Sequence, residues 1–173
     1  KSFPIEEGKA TSIPGAFTNP SVELTAAPFR EFTYQGVRFK YPRAFTFEAD
    51  LDDGDAKNWT MSGNDFTLIL FSLNGKVSTG ALAEKMMGQF GRQNCKIVNS
   101  KATLKLKDQT LTGTSIRVTL AGHPMAMEIF EIPSKGGRSK LILFQDSLDV
   151  AGKNSKEGAT AIETLKTSFQ LIP

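Results

Sequence analysis

Residues 111–144 read LTGTSIRVTLAGHPMAMEIFEIPSKGGRSKLILF, and their periodicity decides the fold class. Ile116, Val118 and Leu120 alternate with Ser115, Arg117 and Thr119, which is the two-residue period of a strand with one buried face. Gly122-His123-Pro124 reads as a turn. Residues 125–132 then place Met125, Met127 and Ile129 on one side and Phe130 and Ile132 on the other. Ser134-Lys135-Gly136-Gly137 is a second hairpin turn, and residues 141–144 are apolar on both faces. Strands joined by tight turns are antiparallel neighbours. A strand apolar on both faces needs cover on both. The stretch therefore predicts an antiparallel meander inside a layered fold.

Upstream, residues 96–99 lead into 102–107, where Ala102, Leu104 and Leu106 face in and Thr103, Lys105 and Lys107 face out. Residues 66–73 form a further two-faced strand, with Phe66, Leu68 and Leu70 opposed to Ile69 and Phe71. Between them Ser78 or Thr79 caps a helix running to about Gln93, because Leu82, Met86 and Phe90 recur every four residues. Residues 57–61 read as a strand whose Trp59 points into the core. Residues 45–47 alternate with phenylalanine on one face, and Gln35-Gly36 turns a hairpin between residues 31–34 and 37–41. Downstream, Ile162, Leu165 and Phe169 mark one stripe of a helix over residues 155–169. Two amphipathic helices and a sheet with two-faced strands predict an α+β fold: an α/β/α sandwich around a mostly antiparallel sheet.

Residues 1–30 differ in kind. Pro4, Pro14, Pro20 and Pro28 punctuate a stretch in which apolar residues occur singly, so an extended arm or linker is expected there, with a short strand near residues 21–24, and a single domain over 31–173. The chain starts at Lys1 rather than Met, which leads to the expectation of a processed product and of work outside the cytoplasm, periplasmic, membrane-tethered or secreted.

The order of elements resembles a known family. Val37-Arg38-Phe39-Lys40-Tyr41-Pro42 is similar to the opening of the Mog1/PsbP-like domains. Leu120-Ala121-Gly122-His123-Pro124-Met125-Ala126 is similar to one of their strand starts, and Ser168-Phe169 to the Ser-Phe pair that ends their last helix. The resemblance covers about residues 30–172. It implies the same sandwich and a role as a small adaptor, as in members that bind a nuclear-transport GTPase, serve as an extrinsic photosystem subunit, or are exported bacterial proteins and lipoproteins. It brings no functional residues with it: the metal-associated histidines of the photosystem members have no counterpart in a chain whose one histidine is His123.

Composition narrows the function classes. The 173 residues carry a formal net charge of +3, too small an imbalance to point to nucleic acid by itself. No apolar run approaches the roughly 20 residues that span a bilayer. A lone His123 flanked by Gly122 and Pro124 is a turn residue before it is a general base, since nucleophilic and zinc chemistry both need partners. Cys95 follows the C-terminal end of a helix, which disfavours its thiolate, so burial is the plainer role. The acidic residues 50–55 fail the calcium-loop register, with Gly54 at position 5 and Met61 at position 12 of a count from Asp50. Asn58-Trp59-Thr60 matches a glycosylation sequon, but an inward Trp59 leaves little room for a glycan. Gly88-Gln89-Phe90-Gly91 lies late in a helix and cannot cradle a phosphate.

The expectation is accordingly a chain without catalytic residues, cofactor or metal: a protein-binding or assembly module that engages no nucleic acid and has no transmembrane segment, though a removed N-terminal segment could tether it to a membrane. Lys105, Lys107 and Arg117, with Lys101, are the candidate partner-binding residues on outward strand positions; lysines there also serve to keep a sheet edge from pairing. The competing function is a small-molecule or lipid carrier, with Met86, Met87, Met125 and Met127 lining a pocket between helix and sheet. An enzyme built on carboxylates distant in sequence is a third alternative.

Overall fold

The computed structural model describes residues 26–52, 54–134 and 136–172. Most of the expected arm, including the short strand near residues 21–24, lies outside the described residues. The fold is α+β, with ten strands and two α-helices among the described residues. Its body is an open antiparallel sheet of seven strands: β3 (Thr46–Asp50), β4 (Ala56–Ser62), β5 (Phe66–Asn74), β6 (Cys95–Lys105), β7 (Thr110–Leu120), β8 (His123–Ile132) and β9 (Arg138–Ser147). Their spatial order is β3-β4-β5-β9-β8-β7-β6. A smaller sheet joins β1 (Phe29–Tyr34), β2 (Val37–Pro42) and β10 (Gln170–Leu171) in the order β1-β2-β10. The helices are α1 (Thr79–Phe90) and α2 (Lys156–Ser168).

The alternation of side chains sorts the large sheet into two cores. Leu70 lies opposite Ile142, and Leu68 opposite Phe144, on one face; Ile69 opposite Leu143, and Phe71 opposite Leu141, on the other. Across a ladder such partners share a face and pack. The first face joins Phe130, Trp59 and Leu104 to a core closed by α2 and the β1–β2 hairpin. The second joins Ile116, Val118, Met127 and Ile129 to Leu82, Ala83 and Met87 of α1. The predicted two-faced strands are thus covered by α1 on one side, and on the other by α2 together with the second sheet.

Aromatic rings fill the first core. Phe39 stacks on Phe32 at 5.0 Å and on Phe169 at 6.4 Å, while Phe66 and Phe144 meet at 5.9 Å. Trp59 is buried there and meets Tyr34 at 4.8 Å. The Ser168-Phe169 pair thereby closes the core: Phe169 packs on Phe39, and the Lys40 backbone N–H donates to Ser168 Oγ at 2.9 Å.

Three local features differ from the sequence reading. The turn before β8 is Ala121-Gly122, with φ of 48° and 83°, and His123 is the first residue of the strand, opposite Leu120. Two consecutive positive φ values match the right-handed twist of a hairpin. Helix α1 stops at Phe90 because Gly91 takes φ of 84°, and a 3-10 turn (Arg92–Asn94) precedes β6. Residues 95–105 form one strand with register shifts between Ile97 and Asn99 and between Asn99 and Ala102, rather than two separate segments.

Candidate functional site

A cleft of about 720 Å³ opens between the outer face of the β1–β2 hairpin and the side of α2. Alternation builds its floor. Val37, Phe39 and Tyr41 point into the core, so Arg38 and Lys40 between them point out. Glu31 faces Lys40 across the β1–β2 ladder. Glu163, Thr167 and Ser168 form the α2 wall.

Both signs of charge meet in this cleft. Arg38 Nε lies 3.6 Å from Glu31 Oε1, an ion pair beyond hydrogen-bond reach, and Nε has no hydrogen-bond partner. Both side chains are about half exposed, so the pair contributes little to stability. Glu163 is held by Lys166 at 2.7 Å. The hydroxyl protons are spent on the helix itself: Thr164 Oγ1 donates to Thr160 O, Thr167 Oγ1 to Glu163 O and Ser168 Oγ to Thr164 O. The cleft therefore offers two cations, two carboxylates and hydroxyl lone pairs, and among the described residues that line it there is no histidine or cysteine to activate a nucleophile.

A second polar cluster lies at the start of α2. Asp146 is 2% exposed, in phase with Ile142 and Phe144 on β9. Its Oδ1 accepts from the Ser155 Oγ at 2.7 Å and from the Ser155 N–H at 3.3 Å, while Oδ2 is buried without a partner. Ser155 Oγ in turn accepts from the Gly158 N–H at 2.8 Å and caps the helix. Burial pushes the Asp146 carboxyl above its ordinary value; the Ser155 bonds oppose the shift, and the neighbouring Asp65 and Glu157 charges add to it. Glu157 Oε2 accepts from the Asp65 and Phe66 N–H groups at 2.7 and 3.0 Å, tying the first turn of α2 to the start of β5. The cluster is a joint between helix and sheet. Among the described residues no group of three histidine, cysteine or acidic side chains is gathered to hold a metal ion.

The residues singled out from sequence are dispersed. Lys105 lies on the α1 side of the sheet, because its neighbour Leu104 faces the α2-side core. Arg117 points the other way, since Ile116 and Val118 beside it face α1. Lys107 sits in the turn after β6, where its N–H donates to Lys166 O at 3.1 Å. These three do not share a face. His123 is exposed on β8, and Cys95 is half-buried at the start of β6, its thiol pushed up by burial. Met87 and Met127 are buried in the α1-side core with Met86 and Met125 packed against it, so the methionines fill space between helix and sheet.

Sequence reasoning did not single out the cleft or Asp146, although both left a signal. Arg38 and Lys40 are the outward positions of an alternating strand. Asp146 is an acid two residues beyond Phe144, in the core phase of β9. What alternation cannot supply is which outward face a distant helix will flank.

No protein-family model matches the chain, and no curated protein matches it in sequence. Several solved structures resemble it, among them those of two bacterial proteins. One is a protein from Bacteroides thetaiotaomicron, with TM-score 0.44 and 11% identity over 85% of this chain and 50% of that one. This chain thus spans half the length of that protein. The other is LpqN of Mycobacterium tuberculosis, described as involved in cell envelope biogenesis, with TM-score 0.43 and 13% identity over 85% of this chain and 87% of that one. Neither likeness assigns a function. No helix among the described residues is long and apolar enough to cross a membrane.

Proposed function

We propose that this chain is a non-catalytic protein-binding or assembly module of the Mog1/PsbP-like kind, acting outside the cytoplasm, which holds an acidic segment of its partner in the cleft between the β1–β2 hairpin and α2. The observation that carries the reading is that Arg38 and Lys40 stand together on the floor of that cleft, where Glu163 is already held by Lys166 and Glu31 approaches Arg38 Nε only to 3.6 Å, leaving that Nε without a hydrogen-bond partner. A volume of about 720 Å³ also lies within the roughly 300–1,000 Å³ of small-molecule sites. Such sites are mostly apolar, whereas this one is lined by charges and hydroxyls, which favours a polar protein segment. The packed methionines leave no room for the carrier pocket expected between them, so a carrier function would use this cleft instead, and native mass spectrometry of gently purified protein decides it: a bare mass throughout removes it.

The binding reading is tested by affinity capture from envelope and cytosolic fractions of the source cells, with the wild type beside the Arg38→Glu/Lys40→Glu variant. A defined partner held by the wild type, and lost at least about tenfold in the variant, is expected. Equal capture by both, or turnover of a small substrate, rejects it. Localisation is tested by the same fractionation. The Pro-punctuated residues 1–30 have the composition of a spacer, and envelope or medium is the expected compartment. A signal confined to the cytosol defeats that part.

A further inference from the structure

The seven-stranded sheet ends in two edges of opposite charge. At one end lies β3, every residue of which is exposed, with Glu48 and Asp50 on it. At the other lies β6, with Lys96, Lys101 and Lys105 exposed. Each edge also leaves apolar side chains partly exposed: Phe47 on β3, Ile97 and Val98 on β6. Edge strands carry unpaired backbone donors and acceptors that template pairing with another strand.

The faces match as well as the charges. Phe47 and Ala49 lie opposite Met61 and Trp59 of the α2-side core, so Glu48 and Asp50 point to the α1 side. Thr103 and Lys105 point to that same side, because Leu104 faces the α2-side core. Every ladder in the sheet is antiparallel, and six ladders separate β3 from β6, so the two edge strands run in the same direction. If one copy is placed beside another with faces aligned, β3 lies parallel to the neighbour's β6, and acids and lysines fall in one row. The like-edge alternatives set acid against acid or lysine against lysine, which is unfavourable across a ladder. Lysines on β6 thus block a second β6 and attract a β3.

We propose that this protein associates with itself head to tail, the acidic edge β3 of one copy pairing with the basic edge β6 of the next through residues 46–50 and 102–105, with the Lys101 charge at the start of that segment. Such a contact is heterologous and does not close on itself unless the rotation between copies permits, so it propagates into short chains of molecules. The register shifts between Ile97 and Asn99 and between Asn99 and Ala102 confine ladder pairing to residues 102–105 of β6, with Lys101 beside it, and keep the contact weak. Neither edge contributes a residue to the hairpin–α2 cleft, so the proposal goes beyond the partner-binding one and stands apart from it.

Sedimentation velocity of the full chain from micromolar to millimolar concentration tests it. The wild type is expected to associate at low salt and to dissociate as salt screens the charges. Glu48→Lys/Asp50→Lys and Lys101→Glu/Lys105→Glu are each expected to weaken association about tenfold. A one-to-one mixture of the two variants, which sets a basic β3 against an acidic β6, is expected to regain association, as is the chain carrying all four substitutions. The Arg38→Glu/Lys40→Glu variant is expected to associate like the wild type. A wild type that stays monomeric at millimolar concentration and low salt overturns the proposal. So does association that survives either pair of substitutions, or a mixture that does not recover.

Discussion

Ala121 occupies φ of 48° in the turn between β7 and β8, a conformation in which a Cβ is crowded and which Asn tolerates far better. Asn-Gly is the favoured pair for a turn of this shape. Ala121→Asn is therefore expected to stabilise the protein by about 0.5–1 kcal/mol, read as a higher midpoint in urea with unchanged slope. Asp146 gives a prediction of opposite character. Its folded-state pKa lies above the ordinary value of 3.8, so its contribution to stability is fully present below that value and is lost as pH rises through the folded pKa. Asp146→Asn keeps an acceptor for Ser155 and removes the titration. The stability of the wild type relative to this variant is expected to fall as pH rises from about 3.8 and to level off above the folded pKa. Denaturation curves of both proteins across that range check it, and a difference that does not move with pH contradicts it. The core phase of Asp146 was legible in the alternation Ile142, Phe144, Asp146; its partner Ser155 was not, because nothing in the spacing says that the start of α2 would come to rest on that strand. His123 shows the converse error, since a Gly-His-Pro string suits a turn while the twist of the ladder chose Ala121-Gly122.

Among the elements, the helices were the easier to read because their start signals are local. Ser78 Oγ accepts from the Ala81 N–H at 3.1 Å and Ser155 Oγ from the Gly158 N–H at 2.8 Å, the reach of an N-cap in each case. The two caps differ in surroundings. Ser78 is solvent-facing at its bond, whereas Ser155 also donates to the buried Asp146. Ser78→Ala is expected to cost about 0.5–1 kcal/mol, the usual worth of a cap. Ser155→Ala also strips a buried carboxylate of its hydroxyl donor, which adds about 1–3 kcal/mol. Urea midpoints of the two variants check the order, and equal losses would mean that the Asp146 bond contributes nothing. The two-faced strands β5, β8 and β9 were legible for the same local reason, their period. The second sheet was not. Its third strand β10 is two residues long and pairs with Arg38 and Val37 from the far end of the chain, a contact without a local signature. The cleft depends on that same long-range closure, so its floor was readable and its wall was not.

The molecule as a whole is one sheet serving two cores, and this has a measurable consequence. Adjacent residues of β9 point into different cores: Leu141 and Leu143 toward α1, Ile142 and Phe144 toward α2 and the hairpin. Neither core can lose its packing without leaving the strands they share bare on one face, and an exposed apolar face on a central strand is costly, at about 25 cal/mol per Å². The two halves are therefore expected to unfold together, as single domains of this size usually do. The chain carries its own probe for each side. Trp59, the one tryptophan, is buried in the α2-side core; Cys95, the one cysteine, packs half-buried against the α1-side core with its thiol pushed up by burial, and labelling is expected to quicken when that core opens. Tryptophan fluorescence and the rate of thiol labelling, followed through the same urea series, should give coincident midpoints. A thiol that becomes reactive well before the fluorescence changes would mean that α1 and its core open first, and that the sheet outlives the loss of one of its covers.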